Sequence, residues 1–162
     1  MPNSYQQGSC SLEIKDLRQV PEFVPILARW FENEWASWGD SFQYGLDWLT
    51  ASLEAEGSFP LTLVACLADK PVGTARIMSD QIPERPQFNP WFCYWYTLPE
   101  YRGQGIGACL DQERIVIARN SGLTKVYLNT STQEEYRKRH GWKSIERLIY
   151  EGVEVAIMSL DL

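Results

Sequence analysis

Apolar residues recur along this chain at two spacings, and the places where one spacing gives way to the other mark out its elements. Ser11-Leu-Glu-Ile-Lys15 alternates apolar and polar, the pattern of a half-buried strand. Beyond Pro21 the period changes. Phe23, Ile26, Leu27, Trp30 and Phe31 recur every three or four residues, which predicts a helix from Glu22 to Trp38 with one apolar face. Gly39-Asp40-Ser41 breaks it, and Asp40 or Ser41 can cap a second helix that runs to about Ala55 and ends at Gly57. Phe42, Leu46, Leu49 and Leu53 mark its buried face. Leu61 to Leu67 is a continuous apolar strand, Asp69-Lys70-Pro71 turns the chain, and Val72 to Met78 returns antiparallel. A proline-rich loop, Asp80 to Pro90, leads to the aromatic strand Trp91–Thr97. A glycine-rich turn follows, then a helix from Ala108 to Asn120 with Gly122 as a left-handed cap. Lys125 to Thr130 is a strand, and Gln133 to His140 is a short helix stopped by Gly141. Trp142–Tyr150 and Val153–Leu160 close the chain as a hairpin around Glu151-Gly152. The order is β-α-α-β-β-β-α-β-α-β-β, an α/β (α+β) chain. Residues 1–10 are polar and read as a flexible N-terminus, so residues 11–162 form one domain.

Composition removes several function classes. A chain of 162 residues suits one domain with a full core, and its 44% hydrophobic and 22% charged content is that of a soluble globular protein. No apolar run approaches the ~20 residues of a membrane span. The first residues have neither a basic segment nor an apolar stretch of the kind a signal peptide needs. Cys10, Cys66, Cys93 and Cys109 form no Cys-x-x-Cys pair, and Cys66 and Cys93 fall in apolar strands as free buried thiols, which fits a reducing, cytoplasmic setting. A single histidine and no cluster of ligating side chains argue against a metal site. The net charge of −6 argues against nucleic acid as a partner.

The chemistry concentrates at Thr97-Leu-Pro-Glu-Tyr-Arg-Gly-Gln-Gly-Ile-Gly107, between a strand and a helix. Gly103, Gly105 and Gly107 let backbone approach a ligand, and the first N–H groups of the helix, with the positive end of its dipole, suit a phosphate. Arg102 supplies a guanidinium beside them. The pattern G-x-G-x-G is not the dinucleotide fingerprint G-x-G-x-x-G, and no Gly-Lys-Ser/Thr of a Walker loop is present.

Arg102-x-x-Gly105-x-Gly107, with Pro99-Glu-Tyr101 ahead of it, resembles the pyrophosphate loop of the GNAT superfamily of acetyl-CoA-dependent N-acetyltransferases. The likeness extends over nearly the whole chain beyond residue 10. Tyr127-Leu-Asn-Thr130 followed by Glu134-Glu-Tyr-Arg-Lys-Arg-His-Gly-Trp142 is similar to the family's second conserved segment, and the order of elements is that of its fold. The resemblance implies a mostly antiparallel mixed sheet of about seven strands, splayed between strands 4 and 5 (Trp91–Thr97 and Lys125–Thr130) and flanked by about four helices. It implies acetyl-CoA as co-substrate, with pantetheine along the backbone of Trp95, Tyr96, Thr97 and Leu98. The pyrophosphate then falls on Arg102, Gly103, Gln104, Gly105, Ile106, Gly107 and Ala108.

The implied reaction is direct attack of an amine on the thioester. Many members carry an acid tyrosine four residues before the glycine that ends the short helix; here that position is Arg137, and Tyr136 lies one earlier. Tyr136 as acid, or Arg137 as an electrostatic partner of the thiolate, are both retained. No carboxylate lies between Trp91 and Thr97, so Glu34 on the first helix is the candidate base, and Glu100 reads as a turn residue. Arg137-Lys138-Arg139 and Lys143 read either as a solvated basic face or as contacts to the phosphates of coenzyme A. Residues 30–69 hold no Lys or Arg but seven acidic residues and Trp30, Trp35, Trp38 and Trp48, a composition that suits a cationic amine acceptor unless the tryptophans are simply core. The rival reading is a non-catalytic acyl-CoA-binding module. Aromatic surface is compatible with a monomer or a homodimer.

Overall fold

A computed structural model describes residues 3–7 and 10–162, with side chains from residue 11 onward. Its centre is one eight-stranded mixed sheet in the order β1-β2-β3-β4-β5-β6-β8-β7. The strands are β1 (Asn3–Gln7), β2 (Cys10–Asp16), β3 (Leu61–Leu67), β4 (Lys70–Met78), β5 (Trp91–Thr97), β6 (Lys125–Thr130), β7 (Lys143–Tyr150) and β8 (Val153–Asp161). Four helices cover it: α1 (Val24–Trp35), α2 (Phe42–Glu54), α3 (Ile106–Asn120) and α4 (Glu134–Arg139). No helix among the described residues is long and apolar enough to cross a membrane.

Seven of these strands are the expected ones. The eighth, β1, corrects the expectation of a loose end over residues 3–7: Asn3–Gln7 pairs antiparallel with β2, from Asn3↔Ile14 to Gln7↔Cys10. An edge strand needs only backbone pairing on one side, so its polar sequence carries no apolar alternation to detect. Residues 1, 2, 8 and 9 lie outside the described residues, and the expectation of flexibility there with them. The first helix is also shorter than expected. Pro25 sits in its first turn, where a missing N–H costs nothing, and the flanking segments Pro21–Phe23 and Ala36–Trp38 are tighter 3-10 turns. Ser41, rather than Asp40, caps α2, accepting from the Tyr44 N–H at 3.1 Å. The β3–β4 turn falls on Ala68 and Asp69, both with positive φ, ahead of the expected Asp69-Lys70-Pro71.

The sheet separates two apolar layers. Under α3, Ile106, Leu110 and Ala118 pack on Ala75, Ile77, Val126, Leu128 and Met158. On the opposite face α1 and α2 bury Leu27, Phe31 and Leu49 against Val64 and Cys66. Two irregularities shape the centre. β5 and β6 run parallel and pair at a single position, Trp91↔Tyr127, so they diverge toward Thr97 and Thr130. In β5, Tyr94 has φ +48° and the register against β4 slips between Thr74 and Arg76, a bulge that takes Tyr94 and Trp95 out of the ladder.

Candidate active site

The divergence of β5 from β6 opens a cleft of about 1080 Å³ that runs from the glycine turn to the connection between α1 and α2. Of the residues expected to hold acetyl-CoA, Trp95, Tyr96, Thr97, Arg102, Gly103, Gly105, Ile106, Gly107 and Ala108 line it, while Leu98 and Gln104 do not. The Leu98 N–H is turned toward β4 and taken by the Val72 carbonyl at 3.0 Å.

The turn is built from two different uses of glycine. Gly105 stands at the N-cap of α3 with φ +80°, a conformation that L side chains rarely adopt. Gly107 is already helical, and a Cβ there would lie 2.7 Å from Cζ2 of Trp95. So Gly107 is small because Trp95 lies across it, and the Trp95 indole N–H donates to the Gly107 carbonyl at 3.0 Å. Arg102 ties the turn to β5 through Nε to the Thr97 carbonyl at 2.9 Å.

Trp95 connects the turn to α4. Its ring stacks on Tyr136 with centroids 5.8 Å apart, and the Arg137 guanidinium lies 4.2 Å from its centre on the ring face. Tyr136 and Arg137 therefore have separate situations. Both line the cleft, but Tyr136 packs on His140 at 4.3 Å. Arg137 is buried and ion-paired to Asp111, which also pairs with Arg114. Arg114 is wholly buried, donates to the carbonyls of Arg76 (3.0 Å) and Cys93 (3.3 Å), and lies over Phe92 at 4.3 Å. This Arg114–Asp111–Arg137 unit ties α3, α4, β4 and β5 together. It corrects the solvated reading for Arg137, although Lys138 and Arg139 are on the exposed side. The sequence signal for Arg114 was its place in the buried stripe of α3, four residues from both Leu110 and Ala118.

The other end of the cleft is aromatic and acidic. Trp35, Trp38, Tyr44, Trp48, Tyr94 and Tyr150 line it, whereas Trp30 belongs to the core. Of the seven acids between residues 30 and 69, Glu34 and Asp40 face the cleft, and Asp80, Glu84 and Glu151 join them from other segments. Glu32 pairs with Arg29, Asp47 accepts from Gln43 at 2.7 Å, and Asp69 pairs with Lys15 at 3.3 Å. Glu34 is exposed at the rim, where its charge, after burial, helps hold the Tyr96 phenol above its ordinary range. Asp40 is half-buried, and burial pushes its carboxyl up, partly opposed by a hydrogen bond from the Tyr94 hydroxyl at 3.4 Å. Burial also pushes the Tyr94 phenol far up, so it acts as a neutral donor to Asp40. Arg76 completes this end. It is buried, with its guanidinium 3.9 Å over the Trp48 ring, and burial pulls its pKa down to about 10. Arg76 carries no signal in the sequence, whereas Asp40 is one of two cap candidates and one of the seven acids between residues 30 and 69.

Comparison with known proteins agrees with this architecture. The family model for the acetyltransferase (GNAT) family matches residues 24–142. Among solved structures, an acetyltransferase of the GNAT family from Streptococcus pneumoniae is 20% identical, with 93% of this chain and 99% of that one covered and a TM-score of 0.67. An acyl-CoA N-acyltransferase from Pseudomonas aeruginosa is 19% identical over 94% and 99% of the two chains, with a TM-score of 0.65. A GNAT family acetyltransferase from Elizabethkingia anophelis, solved with acetyl-CoA bound, is 12% identical over 72% and 82%, with a TM-score of 0.52. No curated protein sequence matches the chain.

Proposed function

The chain belongs to the acetyltransferase (GNAT) family, and on that premise we propose that it moves an acetyl group from acetyl-CoA to a primary amine by direct attack on the thioester. The observation that carries this reading is the continuity of the cleft, which joins an anion-binding turn to an aromatic, acidic chamber past the bulge of β5. Coenzyme A pyrophosphate is assigned to the N–H groups at Gly103–Ala108, beside Arg102. Pantetheine is assigned to the free edge of β5 up to Thr97, by strand addition. The amine enters from the side of Asp40 and Glu34.

In the reaction the amine nitrogen bonds to the acetyl carbonyl carbon, the C–S bond breaks, and the sulfur leaves with the bonding pair. Tyr136, on the cleft wall and braced by Trp95 and His140, is the group assigned to return a proton to that sulfur. Arg137 is committed to Asp111 and serves to hold Trp95. Asp40 is assigned as the base that takes the ammonium proton, in preference to the exposed Glu34, because burial increases its proton affinity.

Release of free coenzyme A thiol from acetyl-CoA, with pooled polyamines, aminoglycosides, amino acids and short peptides, tests the reading against a blank containing protein alone. Amine-dependent release is expected. Binding of acetyl-CoA with no release for any amine would instead indicate the non-catalytic module. With a turned-over amine, Tyr136→Phe is expected to lower kcat by about 10²-fold or more, the usual contribution of a positioned acid.

The pH dependence follows from Asp40. Its carboxyl is held above the usual carboxylate range, so it takes up its proton at a higher pH than an exposed aspartate does. The rate is expected to fall as pH drops through that raised value, and Asp40→Asn is expected to abolish this limb along with most of the rate. Stability moves the other way. The raised carboxyl favours the folded state while protonated, a contribution lost as pH rises through the folded-state value. Asp40→Asn is therefore expected to melt no lower than the parent at neutral pH, and a lower Tm would count against this assignment.

A further inference from the structure

Arg76 is a cation with no countercharge. It is only 4% exposed, yet among the described residues no carboxylate stands within ion-pair distance of it. Among the described residues its guanidinium makes one hydrogen bond, from Nη1 to Thr62 Oγ1 at 3.0 Å, and its buried Nε has no partner. The groups that raise its pKa against burial are Cys93, Tyr94 and Tyr44, none of them a carboxylate. The two other buried arginines of this protein, Arg114 and Arg137, share Asp111. A buried guanidinium without an anion is costly, and replacing it by an apolar side chain of similar volume would relieve that cost. Arg76 lines the cleft at its acceptor end, over Trp48 and one ring away from the Tyr94–Asp40 pair. It is far along the sheet from the turn that suits the pyrophosphate, because Arg76 pairs with Cys93 and the β5 strand reaches the turn only after Thr97.

We propose that the acceptor is an amino-carboxylic acid, whose carboxylate is received by the Arg76 guanidinium while Asp40 receives its ammonium. This deepens, and rests on, the acyl-transfer reading above. It also adds a carboxylate to the cationic amine expected from residues 30–69, since the acidic wall carries a buried cation in its floor. The two charged groups flank the Trp48–Tyr94 ring pair, whose centroids are 4.9 Å apart, so the chamber presents opposite charges to the two ends of a short zwitterion. The planar fork of an arginine suits a carboxylate in two-point contact.

The test compares the twenty L-amino acids with their twenty carboxamides as acceptors for acetyl-CoA, reading coenzyme A release. In parallel, the corresponding N-acetyl amino acids and N-acetyl amino amides are titrated calorimetrically into the protein with coenzyme A present. For the best acceptor, the acid is expected to exceed its amide by about 30-fold or more in kcat/KM, the ratio for a desolvated charge pair. Arg76→Met is expected to erase that preference through KM for the acceptor, leave KM for acetyl-CoA unchanged, and melt no lower than the parent. Arg76→Lys is expected to recover part of the preference. Equal use of acid and amide, or stronger use of the amide, overturns the proposal. If no compound is acetylated but the N-acetyl acids bind and Arg76→Met abolishes their binding, the carboxylate site stands and the transfer reading falls. Neither turnover nor selective binding overturns the carboxylate site as well.

Discussion

Asp111→Ala is expected to destabilise the protein by about 3–5 kcal/mol, the cost of removing one partner from a buried ion pair. Among the described residues Asp111 is the one carboxylate paired with Arg114 or Arg137, and both guanidinium groups are buried. Burial already pulls the pKa of Arg114 down, with the charge of Asp111 opposing it. Without that charge, two cations would face each other beneath α3 and α4. For a domain of this length the loss corresponds to a fall in Tm of roughly 6–20 °C. Asp111→Asn keeps a hydrogen-bond acceptor and is expected to lie between Asp111→Ala and the parent. Adding Arg137→Met to Asp111→Ala should restore part of the loss, because it removes one of the stranded charges. A thermal melt of Asp111→Ala within about 2 °C of the parent would mean that water compensates the pair, and the buried reading would fall.

Gly107→Ala carries the second large effect, and it is aimed at function. The new methyl would sit 2.7 Å from Cζ2 and 3.1 Å from Cε2 of Trp95. That ring cannot swing aside freely, since Tyr136 stacks on it, Arg137 covers it, and its N–H is bonded to the Gly107 carbonyl. Overpacking of this kind costs about 1–3 kcal/mol. The displacement falls on the edge of β5 and the start of α3, where acetyl-CoA is assigned, so kcat/KM for acetyl-CoA is expected to drop about 100-fold, as for an ångström-scale misplacement. Gly122→Ala, at the far end of α3, is the control. A Cβ there meets nothing within 4 Å, though φ is +80°. It is expected to cost about 1–2 kcal/mol in backbone strain alone. If Gly122→Ala harms acetyl-CoA use as much as Gly107→Ala does, general destabilisation rather than Trp95 is the cause.

These two cases also show what the sequence made legible. The glycine turn could be read because its spacing reports backbone geometry, which is local. The strands Leu61–Leu67 and Trp91–Thr97 could be read to the residue because each is an apolar run between strong breakers, and Lys125–Thr130 because Val126-Tyr-Leu128 stands between Gly122 and a polar stretch. The reason for Gly107 could not, since it depends on a tryptophan twelve residues away and on the bulge at Tyr94 that turns β5. Arg76 and Arg114 were hidden for a related reason. A charged residue within a strand or helix looks solvent-facing until its neighbours are placed. Four-residue spacing put Arg114 on the buried face of α3 and three-residue spacing set Asp111 beside it, but only the fold brings the pair to Arg137 and the β4 carbonyl. Local sequence leaves Asp40 and Ser41 equally able to cap α2; Ser41 takes that role, and Asp40 lies in the cleft with the acidic wall.

The single pairing of β5 with β6 at Trp91↔Tyr127 has a mechanical meaning. It fastens the two halves of the sheet at one corner, where the wholly buried Trp91 ring packs on Phe88 and Tyr127. From that corner to Thr97 is a lever of about 20 Å, so a rotation of about 5° would shift the far end by about 2 Å. The brace against such a rotation lies across the mouth, in the Trp95–Tyr136 stack and the two arginines that share Asp111.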